Sequence, residues 1–158
     1  MLPSAEIKQE LQKLVGLPAW KATFAAGTLS VQFGGKRETT TRNGKATLVG
    51  ERALHIQALW RLSTSDEIII GSIDHHCHDE RDNTPQILAI VEKALLRGPS
   101  VLAVECVRAG AFALALEGGL YLEVVPAPRP SDEADEFWRL LSPEHDKPHF
   151  VVTSNGIE

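Results

Sequence analysis

Between Ala53 and Leu62 apolar and polar residues alternate: Leu54, Ile56, Ala58, Trp60 and Leu62 share one side, while His55, Gln57 and Arg61 share the other with one apolar residue, Leu59. A period of two marks a strand with one buried face. Ser63 to Ser65 read as a turn, and Glu67 to Ile70 as a returning strand stopped by Gly71.

Upstream the period changes. Ile7, Leu11, Leu14 and Val15 lie at helical spacing within Ser4 to Val15, with Ser4 placed as a cap, Glu6 near the positive end, and Gly16 and Pro18 as stops. Trp20 to Ala25 and Thr28 to Phe33 then read as strands joined at Ala26-Gly27, and Gly34-Gly35 ends the second. Lys36 to Val49 is polar and threonine-rich around Asn43-Gly44, which predicts a solvent-facing hairpin with a type I′ turn.

Downstream, Thr84 offers a cap and Pro85 suits the first helical position, so a second helix is expected to about Arg97, where Gly98-Pro99 ends it. Its apolar face is Ile87, Leu88, Val91, Ala94 and Leu95. Val101 to Arg108, Ala111 to Glu117 and Leu120 to Val125 form a β-meander with turns at Ala109-Gly110 and Gly118-Gly119. Pro126 to Glu136, rich in proline and charge, reads as a surface loop, and Phe137 to Leu141 and His149 to Thr153 as the last strands.

These elements come twice in one order. A helix ending in Gly16-Leu17-Pro18 matches one ending in Gly98-Pro99; a strand, Ala26-Gly27 and a strand ending in Gly34-Gly35 match a strand, Ala109-Gly110 and a strand ending in Gly118-Gly119. Trp60-Arg61-Leu62 then matches Trp138-Arg139-Leu140. The offset stays near about 78 to 83 residues, as a duplication requires. The expectation is an α+β fold, mainly antiparallel β-sheet with two helices, in which halves 2–72 and 84–156 repeat about an approximate internal two-fold. Each half supplies a sheet and a helix, and both pack into a single domain spanning residues 1–158, because one half alone buries too little surface.

Composition narrows the partners. With 158 residues, 43% apolar, 23% charged and a net charge of −5, the chain is an ordinary globular protein without the basic stripe that nucleic acid or an anionic membrane requires. Two cysteines, Cys77 and Cys106, are too few for a disulfide scaffold, and no apolar run approaches the length of a membrane span, so a cytoplasmic monomer or homodimer is expected.

Two groups of residues could carry chemistry. His75, His76, Cys77, His78 and Asp79 crowd metal-ligating side chains into one loop, although structural zinc sites space their ligand pairs by about two to four residues. His55, Gln57 and Arg61, with Arg139 as the repeat-related counterpart of Arg61, could grip a carboxylate or an acidic partner. Cys106 sits in an apolar run as core rather than nucleophile, no serine has a triad around it, and no glycine pair opens a phosphate-binding helix, so no cofactor is expected.

Gly16-Leu17-Pro18-Ala19-Trp20, Leu54-His55-Ile56-Gln57 leading to Trp60-Arg61-Leu62, Phe137-Trp138-Arg139-Leu140, and Pro148 to Val152 with Gly156 resemble a family of small uncharacterised bacterial proteins with paired Trp-Arg-Leu strand motifs. The resemblance spans most of the chain and implies neither an activity nor catalytic residues. Ala58-Leu59 stand where that family often has Cys-Pro, and the histidine loop is no part of its pattern. The expected function is non-enzymatic, a protein-binding module of immunity or regulatory type; the alternative is a metal-dependent hydrolase using His75 to His78.

Overall fold

A computed structural model describes residues 4–74, 83–127, 135–142 and 147–158. Helix α1 (Ser4–Leu11) buries Ile7 and Leu11 and tightens into a 3-10 turn at Gln12–Leu14. Strands β1 (Ala19–Ala25), β2 (Thr28–Phe33), β3 (Arg37–Thr40), β4 (Ala46–Val49), β5 (Arg52–Ile56), β6 (Leu59–Ser63) and β7 (Ile68–Gly71) follow. After helix α2 (Thr84–Ala94) come β8 (Val101–Cys106), β9 (Phe112–Leu116), β10 (Leu120–Val125), β11 (Glu136–Leu141), β12 (Phe150–Thr153) and a short β13 (Gly156–Ile157). The named strands pair antiparallel throughout, which makes the fold α+β.

One sheet runs β1-β2-β5-β11-β12-β13 and the other β7-β6-β10-β9-β8, with β3-β4 as a separate hairpin. Neither sheet therefore belongs to one half of the chain, contrary to the expectation of a sheet from each. The change of sheet happens inside the alternating stretch. The amides of Gln57 and Ala58 both donate to the carbonyl of Phe137 at 2.9 Å, and this corner sends β5 into one sheet and β6 into the other. The corner takes two residues, an even number, so Leu54 and Ile56 before it and Trp60 and Leu62 after it all still face the core. That preserved parity is why two strands read as one.

Position by position, β1-β2-β5-β11-β12 in one sheet has the order of β8-β9-β10-β6-β7 in the other. Register partners agree as well: Trp138 lies opposite Ile56 and Arg139 opposite His55, as Trp60 lies opposite Val124 and Arg61 opposite Glu123. Both first strands carry a bulge at the same place, between Ala19 and Lys21 and between Val101 and Ala103.

The inner faces meet in a shared core. Leu29, Val31 and Phe33 of one sheet and Leu62, Leu116 and Leu122 of the other, with Val91 and Leu95 from α2, surround a gap of only about 10 Å³, so the sheets are close-packed. α2 rests on β1 and β7, and α1 on β8. The entries to β1 and β8 are bonded together: Gly16 N–H donates to Val101 O at 2.8 Å and Val101 N–H to Leu17 O at 3.0 Å.

Turn chemistry departs from expectation in two places. Ala26-Gly27 and Ala109-Gly110 have positive φ at both central residues, 51° and 76° in one and 52° and 79° in the other, which makes them the type I′ turns. At Asn43-Gly44 only Gly44 has positive φ, and Thr41 closes a wider loop by accepting the Lys45 amide on its hydroxyl at 3.2 Å. The cap of α2 is Asn83 rather than Thr84, which begins the helix; the Asn83 side-chain amide donates to the carbonyl of Asp74 at 2.6 Å.

Candidate functional site

The outer face of the six-stranded sheet carries the polar residues of β5 and β11. Thr23, Ser30, His55, Arg139 and Val151 form one row of register partners across five strands. His55 and Arg139 are thus neighbours because β5 and β11 pair, although they lie in different halves of the chain.

Glu136 joins them through a local irregularity. Residues three apart on a regular strand point to opposite faces. The register shift between Glu136 and Trp138 buries Phe137 and Trp138 in succession and puts Glu136 on the face of Arg139. Arg139 Nε donates to Glu136 Oε1 at 2.5 Å, a second guanidinium nitrogen pairs with Glu136 Oε2, and a third donates to His149 Nδ1 at 3.2 Å. The nearby Gln57 side chain also favours the charged form of Glu136.

These contacts set the charge states. Hydrogen bonding to Arg139 holds the Glu136 carboxyl below its ordinary range, and the same bond raises Arg139. Burial, then the Arg139 charge, then His149 push the His55 imidazole below its ordinary value. The patch therefore presents a neutral His55 beside a neutralised Arg139–Glu136 pair. Gln57 and Glu136 also line an open depression of about 500 Å³ with Gly27, Thr28 and Asp135. His149 lines a second one of about 670 Å³ with Glu6, Arg52 and Phe150.

The structure brings together His55, Gln57 and Arg139 and separates Arg61 from them. Arg61 lies beyond the Gln57-Ala58 corner, on the outer face of the five-stranded sheet, where its guanidinium pairs with Glu123. Glu136 and His149 complete the patch but read in the sequence as a loop end and a strand start, since the bulge that recruits Glu136 has no signature in the residue pattern.

His75, His76, Cys77, His78 and Asp79 lie outside the described residues. Among the described residues, no three histidine, cysteine or carboxylate side chains come together as a metal site. Cys106 is packed against the core, where burial raises its thiol and so opposes the thiolate a nucleophile needs.

Trp60 on β6 and Trp138 on β11 differ in one respect. Trp138 Nε1 donates to the Gly110 carbonyl at 3.0 Å, whereas Trp60 Nε1 is buried with no acceptor.

Fold and site together define an α+β protein of two antiparallel sheets with an ordered polar patch on one open face. The chain matches no protein-family model, no curated protein and no solved structure. No helix among the described residues is long and apolar enough to cross a membrane.

Proposed function

We propose that this is a non-enzymatic cytoplasmic protein-binding module of immunity or regulatory type, which docks a partner on the outer face of the six-stranded sheet. The observation that carries this reading is the fixing of Arg139 by Glu136 beside His149, with His55 across the strand pair, on an open sheet face between two depressions. A side chain already held in place loses little conformational freedom on binding, and arginine is a common anchor of protein interfaces. The patch pairs its own charges, so it favours a partner that offers hydrogen bonds over one that offers bulk charge.

Affinity capture from native lysate tests this. A protein recovered by the wild type and depleted about tenfold by Arg139→Glu, a change of about 1.4 kcal/mol, supports the reading. Repeated recovery of no protein partner would overturn it. The hydrolase alternative depends on His75 to Asp79, and near-equimolar zinc lost on His76→Ala and His78→Ala would replace the binding reading.

The proposal includes an origin by duplication of segments 2–72 and 84–156, with the last hairpin of each exchanged between sheets. The common strand order and the paired bulges support it. Membership of the small bacterial family with Trp-Arg-Leu motifs belongs to the same reading, supported by the placing of those motifs on β6 and β11. Superposition of α1-β1-β2-β5-β11-β12 on α2-β8-β9-β10-β6-β7 checks the duplication, which a failure of the helices to coincide would refute.

A further inference from the structure

The outer faces of the two sheets have corresponding positions and different chemistry. By strand order and register, Ser30 corresponds to Ala113, Gln32 to Ala115, Ala53 to Tyr121 and Gln57 to Val125. Each of these four steps from the six-stranded to the five-stranded sheet removes a polar group or adds apolar surface, while at the sheet's edge Thr23 corresponds to the exposed Glu105. Leu59 and Val125, register partners on β6 and β10, stay 50% and 52% exposed, and Tyr121 is exposed beside the small Ala115. The only ion pair among the described residues of this face is Arg61–Glu123, also a register pair of β6 and β10. Since the corresponding face is polar, open position in the fold does not account for Leu59, Val125 and Tyr121, which flank the Arg61–Glu123 row on both sides; exposed apolar surface of this kind marks an interaction site.

We propose that this face is the interface of a homodimer, with a second copy of the chain as its occupant. The argument is self-complementarity. A two-fold axis running along the strands between β6 and β10 exchanges register partners, so it sets Arg61 over Glu123 of the second copy and Leu59 over its Val125, and each pair occurs twice. Ala113, the half-buried register partner of Glu123, keeps the surface beside this row low, so a second sheet can approach it. A partner of uniform charge would leave either Arg61 or Glu123 opposed by its own sign.

Footprint sets the strength. This axis leaves β8 with no strand opposite, so four strands overlap, and at about 4.8 Å apart and about 18 Å long they cover about 350 Å², less than half of the ~800 Å² per partner in a standard stable interface. The dimer is therefore reversible, with dissociation in the micromolar range or weaker.

Sedimentation equilibrium of the full chain from about 10 μM to about 1 mM brackets that range. The expected result is a concentration-dependent rise from 17.3 kDa toward twice that mass. Val125→Arg and Ala113→Arg, each with a circular dichroism spectrum and melting temperature measured at dilution, should raise the dissociation constant at least about tenfold, while Thr23→Arg on the other sheet's outer face leaves it unchanged. Arg61→Glu should weaken association and Arg61→Glu with Glu123→Arg restore it. A monomer throughout the range, or association that survives both arginine substitutions in folded protein, overturns the proposal. Association abolished by Thr23→Arg overturns it too, by moving the contact to the opposite sheet.

Discussion

Trp138 Nε1 reaches 3.0 Å to the carbonyl of Gly110, fastening β11 to the Ala109-Gly110 turn, while the indole N–H of Trp60 is buried without an acceptor. Both rings are almost fully buried, at 0% and 3% exposure. Trp138→Phe removes the donor and strands a carbonyl on the buried Gly110, whereas Trp60→Phe removes a polar group that is already unpaired. Trp138→Phe is expected to cost about 1 to 2 kcal/mol more than Trp60→Phe. Urea denaturation of the two variants measures the difference, and equal losses would contradict it.

Gly50 packs against Phe33 so closely that an added Cβ would lie 2.2 Å from the Phe33 carbonyl oxygen. That neighbour is backbone and cannot rotate away. Gly50→Ala should cost about 3 kcal/mol, the upper part of the range for overpacking. Gly118→Ala, where nothing lies within 4 Å but φ is +79°, should cost only about 1 to 2 kcal/mol from backbone strain.

Ala26 and Ala109 hold φ of 51° and 52°, a region that alanine occupies at a cost and asparagine tolerates. Ala26→Asn and Ala109→Asn should each stabilise the protein, by about 0.5 to 1 kcal/mol on the scale usual for improved turns. Melting temperature is the readout, and a fall in either variant would show that the turn conformation differs from type I′.

The His55 imidazole is held below its ordinary value of 6.5, so near neutral pH and just below it the unfolded chain binds protons that the folded chain refuses. Its contribution is fully present above that value and is lost as pH falls through it toward the lower folded value. Glu136, depressed by Arg139, adds a second loss as pH falls below its ordinary 4.5. Urea midpoints measured from pH 8 to pH 5 should therefore decline in the wild type and decline less in His55→Gln. Indistinguishable profiles for the two proteins would rule out this linkage.

The residue pattern fixed the local elements well wherever one face of a strand or helix had to be buried. Two helices, the strands flanking Ala26-Gly27 and Ala109-Gly110, and the β6–β7 hairpin follow from periodicity and turn residues, because these depend on contacts between near neighbours. The apolar set Leu54, Ile56, Trp60 and Leu62 was legible as core for the same reason. Which sheet each strand joins was not. The corner at Gln57-Ala58 keeps the alternation in phase, so the residue pattern puts Arg61 on one face with His55, and only the pairing of β6 with β10 sets it beside Glu123. The patch at His55 likewise needed β11 to pair with β5 and a bulge at Phe137 to turn Glu136 outward. Period-two patterns specify which face is buried; they carry no label for the strand lying alongside, which is chosen by the packing of both sheets and both helices at once.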